Sequence, residues 1–295
     1  MKKMRSKKLS QKTGILSAMD LKKPSARVVY WILFAFCLLM VLICLLPPLY
    51  VMLSSLKSVQ EFYQIPPTII PETFEPQKIV EVWTTTNFGQ HYISSLIMIV
   101  GCVAATLIFN GMAGYTLAIL KPRGYKFAFW LIMASLMMPT VINIVPVMVN
   151  LTKLKLINNY LPLWLGYGAN AFQIMLFKSF YESLPYSLVE AARLDGCTSM
   201  GVFSRIILPM SKPITMVITV LTVNASWSDF LMPYLVLKDK DKMTVMVKIY
   251  DMANSTVSKD YQMVALLFAI IPPAIIFLFF SKYFTQGVSI GAVKG

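Results

Sequence analysis

Long stretches without a charged residue decide what this chain can fold into. Residues 28–56, 92–120, 127–152, 156–177 and 261–281 hold no Asp, Glu, Lys or Arg, and residues 213–237 hold only Asp229. A helix needs about 20 apolar residues to cross the hydrocarbon core of a bilayer. Six such runs predict six transmembrane helices. Transmembrane β-strands would read as short alternating segments instead, and the first run is too long for a cleaved signal peptide. Only 14% of the 295 residues are charged and 57% are hydrophobic, whereas roughly a quarter are charged in an ordinary soluble domain. A soluble enzyme, a disordered chain and a disulfide scaffold are therefore excluded, and an all-α polytopic membrane protein remains.

The net charge of +14 is better read as topology than as nucleic-acid binding. With the N-terminus in the cytoplasm, the cytoplasmic segments carry 18 Lys and Arg and the outer loops 9. Such an excess marks the cytoplasmic side, so both termini are expected there. Residues 1–27 form a basic arm against anionic membrane lipid, residues 28–281 the six-helix domain, and residues 282–295 a cytoplasmic tail. An outer loop, residues 57–90, is rich in Pro and Glu and reads either as solvated or as resting on a partner. Cys37, Cys44, Cys102 and Cys197 form no CxxC, and His91 is the only histidine, so no metal site is expected.

The chain contains no GxxxxGK[ST] and no HExxH, hence no P-loop to cradle ATP and no zinc-hydrolase signature. Asp229 is the only acid within the apolar runs. It lies 16 residues beyond Pro213, about 24 Å along a helix and far from the bilayer midplane. Midplane acids typical of proton- or sodium-driven carriers are thus missing.

Residues 178–212, between the fourth and fifth runs, are long for a connection. Ser187 and Glu190 fit a capping box, Gly196 a left-handed stop and Thr198 the cap of a second short helix. The expectation is a helix–turn–helix with Met200, Val202 and Phe203 projecting outward, as exposed apolar residues do at partner surfaces.

Within it, Glu190, Ala191, Ala192, Asp195, Gly196, Phe203, Ile206, Leu208, Pro209 and Pro213 resemble, position by position, the EAA motif of ABC-importer permeases. Trp227-Ser228-Asp229-Phe230, Met138-Pro139, Pro146 and the ending from Tyr283 to Gly295 are similar to the maltose-type carbohydrate-uptake subfamily. Ser228 and Cys197 depart from the commoner Asn and Ala. The resemblance spans residues 28–295. It implies a non-catalytic permease subunit of an ATP-driven importer for a sugar or oligosaccharide. Its implied partners are a second homologous permease, two ATPase subunits that hold ATP and Mg, and an extracytoplasmic substrate-binding protein. This chain would bind no cofactor itself. The helix–turn–helix would dock on the ATPase through Glu190, Ala191, Ala192, Asp195, Gly196, Met200, Val202 and Phe203. Glu190 is then either an ATPase contact or a helix cap.

Asn170, Gln173, Asn224 and Trp227 are candidates for the substrate path, since sugars favour aromatic faces beside amides. Interhelical hydrogen bonding explains such residues equally well. Trp227 is expected on the face of Asn224, and Pro272-Pro273 is expected to free carbonyls toward a cavity. The competing readings are a stand-alone secondary carrier or channel, a membrane scaffold, and a permease for a polyol, a glycerol phosphate or a peptide.

Overall fold

The computed structural model describes residues 24–292, all-helical and without strands. The basic arm up to residue 23 and the last three residues of the tail lie outside the described residues. Three of the apolar runs fold as single helices long and apolar enough to cross a membrane. They lie in α1 (Pro24–Ser54), in a helix written here as α4 (Phe88–Leu120), and in the last helix, Lys259–Ala292. The last helix carries residues 282–292 of the expected tail as its own continuation.

The remaining runs are divided, and the divisions have local causes. Residues 127–152 form α5 (Tyr125–Ser135) and α6 (Ile144–Lys153). Between them Pro139, which has no N–H to continue a helix, adopts φ −60° and ψ 128°. Residues 156–177 supply α7 (Leu161–Tyr167) and most of α8 (Ala171–Glu182), with Asn170 extended and its side chain accepting from the Gln173 amide. The fifth run forms α11 (Lys212–Ser228) and α12 (Leu231–Val236), parted at the extended Asp229. Ahead of α11 lie α9 (Ser187–Leu194) and the helix α10 (Ser199–Met210), which meets α11 at an 80° bend. Two short helices, α2 (Val59–Phe62) and α3 (Gln77–Thr85), precede α4, and α13 (Val245–Ala253) precedes the last helix, α14.

Close approach to α4 requires small residues. A Cβ on Gly101 would lie 2.1 Å from the Trp164 indole, and one on Gly114 2.6 Å from Phe177 Cβ. Gly111 on the same helix has ordinary clearance, 3.6 Å from the Tyr181 hydroxyl. By contrast α1 packs chiefly on α14, and residues 27–47 are exposed throughout.

At the end of the bundle where α1 finishes and α4 begins, the loop of residues 55–76 is folded and not merely solvated. Glu61 is buried at its centre and accepts four hydrogen bonds: from Thr68 Oγ1 (2.7 Å), Glu72 N (2.9 Å), Thr73 N (2.9 Å) and Thr73 Oγ1 (2.6 Å). Lys57 Nζ donates to Thr68 O. Lys78, also buried, donates to Lys57 O at 2.6 Å and pairs with the buried Asp260 at the start of α14. Removing either member of such a pair strands the charge of the other. The clasp thus ties α1, the loop, α3 and α14 into one unit.

Burial opposes ionisation of Glu61, but the donors of Thr73, Glu72 and Thr68 outweigh it and hold the pKa at about 2, against an ordinary 4.5. A carboxylate depressed on folding adds stability above its unfolded pKa and loses it as pH falls through the folded one. The loop should therefore loosen between pH 4.5 and about 2. Glu61→Gln should lower the melting temperature at neutral pH and flatten its fall over that window, as measured by thermal unfolding in detergent.

Candidate functional site

The helix–turn–helix of residues 187–210 is present and built mostly as its composition requires. Helix α9 ends in a Schellman motif: Cys197 N donates to Ala192 O (2.9 Å) and Gly196 N to Arg193 O (3.0 Å), with Gly196 at φ +77°. Thr198 Oγ1 caps α10 by accepting from Gly201 N at 3.2 Å. The capping box is not formed. Ser187 is already helical, Tyr186 occupies the cap position and no side chain closes it. Glu190 consequently lies exposed in the first turn, beside exposed Ala191 and Asp195.

Val202 and Phe203 do not project outward, contrary to expectation. Both are buried with Ala192 in a cluster that includes Tyr115, Phe177, Tyr181, Ile207 and Ile218, and Phe203 packs on the Tyr115 ring at 5.1 Å. Tyr115 Oη also donates to Ser199 O at 2.9 Å. The aliphatic period of α10 turns these residues toward α4 and α8, so they fasten the hairpin to the bundle. The surface is left to Met200, 56% exposed, and to Leu194, 89% exposed at the tip. Leu194 was not singled out from the sequence, where it reads as one more apolar residue of an amphipathic helix. A shallow pocket of about 220 Å³ opens between Met112, Tyr115, Thr116 and Met200.

Deeper in the bundle, Asn170 and Gln173 belong to a buried amide network. Asn110 Nδ2 donates to Gln173 Oε1 and to Tyr167 O, both at 2.9 Å, Asn170 N donates to Asn110 Oδ1 at 3.2 Å, and Gln173 Nε2 donates to Thr222 Oγ1 at 3.0 Å. Thr106 Oγ1 adds a bond to Tyr167 O at 3.2 Å. The break between α7 and α8 leaves Tyr167 O and Asn170 N without helical partners, and apolar surroundings make such groups costly. Asn110 and Thr106 on α4 satisfy them.

Asn224 and Trp227 are separated by the structure. Asn224 is exposed, on a stripe of α11 with Ala225 and Ser228. Trp227, about 60° round the helix, is buried against Tyr92, ring centroids 5.7 Å apart, and its Nε1 donates to Ala269 O at 3.1 Å. It offers no open ring beside Asn224. The same bond corrects the expectation for Pro272-Pro273. α14 continues through both prolines, which free the carbonyls four residues earlier, Phe268 O and Ala269 O. These meet no cavity, for Tyr92 Oη donates to Phe268 O at 2.6 Å and Trp227 takes the other. A Tyr and a Trp in apolar runs, paired with two adjacent prolines in another, were the readable signal.

Comparison with known proteins places these features. The family model described as the binding-protein-dependent transport system inner membrane component matches residues 110–290. The arabinooligosaccharides transport system permease protein AraQ of Halalkalibacterium halodurans is 29% identical over 283 residues, covering 93% of this chain and all of that protein. AraQ of Bacillus subtilis is 34% identical over 206 residues, 69% of this chain and 73% of the relative. The sn-glycerol-3-phosphate transport system permease protein UgpE of Yersinia pestis is 30% identical over 267 residues, 86% of this chain and 95% of that one. Among solved structures, a chain of a bacterial ABC transporter involved in importing the acidic polysaccharide alginate superposes with a TM-score of 0.78 at 22% identity, covering 89% of this chain and 98% of that chain.

Trp227→Phe keeps an aromatic ring but removes the donor with the pyrrole half of the indole, leaving Ala269 O buried without a partner. The expected cost is about 1–3 kcal/mol, read as a lower melting temperature. Adding Pro273→Ala should recover most of it, because the new amide donates to Ala269 O along the helix.

Proposed function

Because the chain belongs to the family of binding-protein-dependent transport system inner membrane components, we propose that it serves as the translocating subunit of an ATP-driven importer for an oligosaccharide. It is an integral membrane permease and not itself an enzyme. The family works with an ATPase that hydrolyses ATP and with a protein that delivers substrate. In the proposed assembly there are two ATPase subunits carrying ATP and Mg and a second, homologous permease. Six spans cross the bilayer with both termini in the cytoplasm, three of them divided, at Pro139, at residues 168–170 and at Asp229. The arm of residues 1–27 rests on lipid, residues 28–281 form the permease domain, and residues 282–295 lie on the ATPase side.

One observation carries this reading. The hairpin of residues 187–210 is fused by its buried face to α4, α8 and α11, while Leu194, Met200 and Glu190 face outward. It is a rigid lever with a partner-facing tip. Closure of an ATPase pair gripping that tip would rotate α11 through the 80° bend, and the packed interface would switch between two states, as such interfaces do. Opposite the hairpin, outward-facing Ile65, Ile69 and Ile70 on the clasped loop offer a surface for the delivering protein. Carbohydrate is favoured as cargo because AraQ relatives are named for arabinooligosaccharides and the superposed transporter for alginate. The UgpE relative supports glycerol phosphate as the second reading.

Proteoliposomes holding the full complex, with binding protein outside and ATP inside, should accumulate arabinooligosaccharide. This chain alone should not, and ATP-independent uptake by it would establish a secondary carrier instead. Gly196→Val should insert normally, since no atom crowds its Cβ, but a β-branched residue at φ +77° distorts the lever tip. The ATPase should then be lost on co-purification, and its full retention with normal uptake would rule out the lever.

Asn224 is assigned to a cavity shared with the second permease, beside Ser228. Asn224→Leu should slow uptake with assembly intact. An Asn224→Cys thiol should react with a small polar reagent and be shielded by substrate. A thiol unreactive in every state would make Asn224 packing only.

A further inference from the structure

At the end of α11, where its exposed stripe runs out, three aromatic rings converge. Phe230 follows the exposed Ser228 and the half-buried Asp229, Tyr234 lies one turn on in α12, and Tyr250 approaches from α13. Phe230 and Tyr250 are 5.3 Å apart and 30° from parallel, while Tyr234 meets Tyr250 edge-on at 5.0 Å and 68°. All three remain about two-fifths exposed, at 37%, 41% and 40%. Lys238 Nζ sits 5.8 Å from the Tyr234 ring centroid, and Lys248 pairs with Asp251 at 3.6 Å beside Tyr250. Among the described residues the hydroxyls of Tyr234 and Tyr250 have no hydrogen-bond partner, unlike Tyr92 Oη and Tyr115 Oη, which both donate to a carbonyl.

We propose that Phe230, Tyr234 and Tyr250 form an entry subsite for a saccharide ring, on the outer approach to the α11 stripe that carries Asn224. The inference rests on the reading of the cargo as carbohydrate. Ligand sites combine apolar and aromatic walls with a few directed polar groups. Here the ring faces would cover the C–H face of a sugar, while the two hydroxyls and Lys238 would meet its oxygens. An aromatic membrane anchor is the other use of such residues. Anchors spread around a protein at headgroup depth, whereas these rings come from two helices onto one another. The charged run Lys238-Asp239-Lys240-Asp241-Lys242 that follows α12 places them at an aqueous mouth. Ser228 and Asn224 continue from Phe230 down one side of α11, so a ring released from the platform meets the stripe next.

The test uses the complete complex in proteoliposomes, with Cys37, Cys44, Cys102 and Cys197 replaced. Tyr250→Cys should react with a water-soluble thiol reagent, and arabinooligosaccharide should slow that reaction while glycerol 3-phosphate leaves it unchanged. Tyr234→Leu combined with Tyr250→Leu should lower maximal uptake about fivefold, the weight of an aromatic contact. The corresponding Phe pair should keep the larger part of it, with equal assembly of both variants on co-purification. If the wild type carries saccharide, yet the Leu pair transports normally or the cysteine is unreactive, the subsite is overturned and the importer reading stands. If the wild type carries glycerol phosphate and no saccharide, the carbohydrate reading fails and the platform with it.

Discussion

A backbone group removed from water and left unpaired is costly, and in this protein one helix supplies partners for several that the other helices strand. Tyr92, Thr106 and Asn110, all on α4, donate to Phe268 O and Tyr167 O, where prolines and a helix break leave carbonyls free. Toward the clasped loop the same helix continues the pattern. His91 Nδ1 meets Met243 O at 2.9 Å, Ser94 Oγ donates to Asp241 O at 2.8 Å, and Ser95 Oγ accepts from Val245 N at 2.9 Å. Irregular backbone at membrane depth is tolerated only where protein satisfies it. α4 permits α7–α8 to be broken and, together with Trp227 of α11, permits α14 to carry its prolines without penalty.

That arrangement sets how force would travel. The far end of α4 carries Tyr115, Ala118 and Ile119, which bury Phe203, Val202 and Ile207 of the hairpin. Its near end carries Phe88 and Ile99, which pack with Trp227, Val264 and Phe268. A displacement of the hairpin tip therefore reaches the outer half of the bundle through packed side chains at both ends of one helix, and through α11 directly. Side-chain packing of this density resists gradual deformation, so two discrete arrangements are the natural response.

Much of this was legible in the residues. The charge-free runs announced the helices, and Gly196 and Thr198 announced the turn, because a positive φ and an N-cap each favour a short set of residue types. Orientation of side chains within a run was not legible. Trp227 was read as a cavity residue because an apolar run has no polar face to indicate which side is buried, and Val202 and Phe203 as surface because apolar residues on a short helix can face either a partner or their own bundle. The interruptions at residues 136–143 and 168–170 were missed for a related reason, since hydropathy does not register a broken helix. Nothing in the residues themselves marks Lys78, Asp260 or Glu61 as buried, since most charged side chains are solvated. Only the fold shows that residues 182 positions apart meet in a buried pair.

The exposure of α1 bears on how the protein is made. Synthesis runs from the N-terminus, so α1 enters the bilayer first, while its main packing partner α14 comes last. A helix whose backbone bonds are internal and whose surface is apolar can wait alone in lipid, and α1 is apolar on every side. Lys78 must meanwhile stay hydrated, because Asp260 has not yet been translated. The Lys78–Asp260 pair is thus a late event in biogenesis, closing the first helix onto the last once translation has passed residue 260.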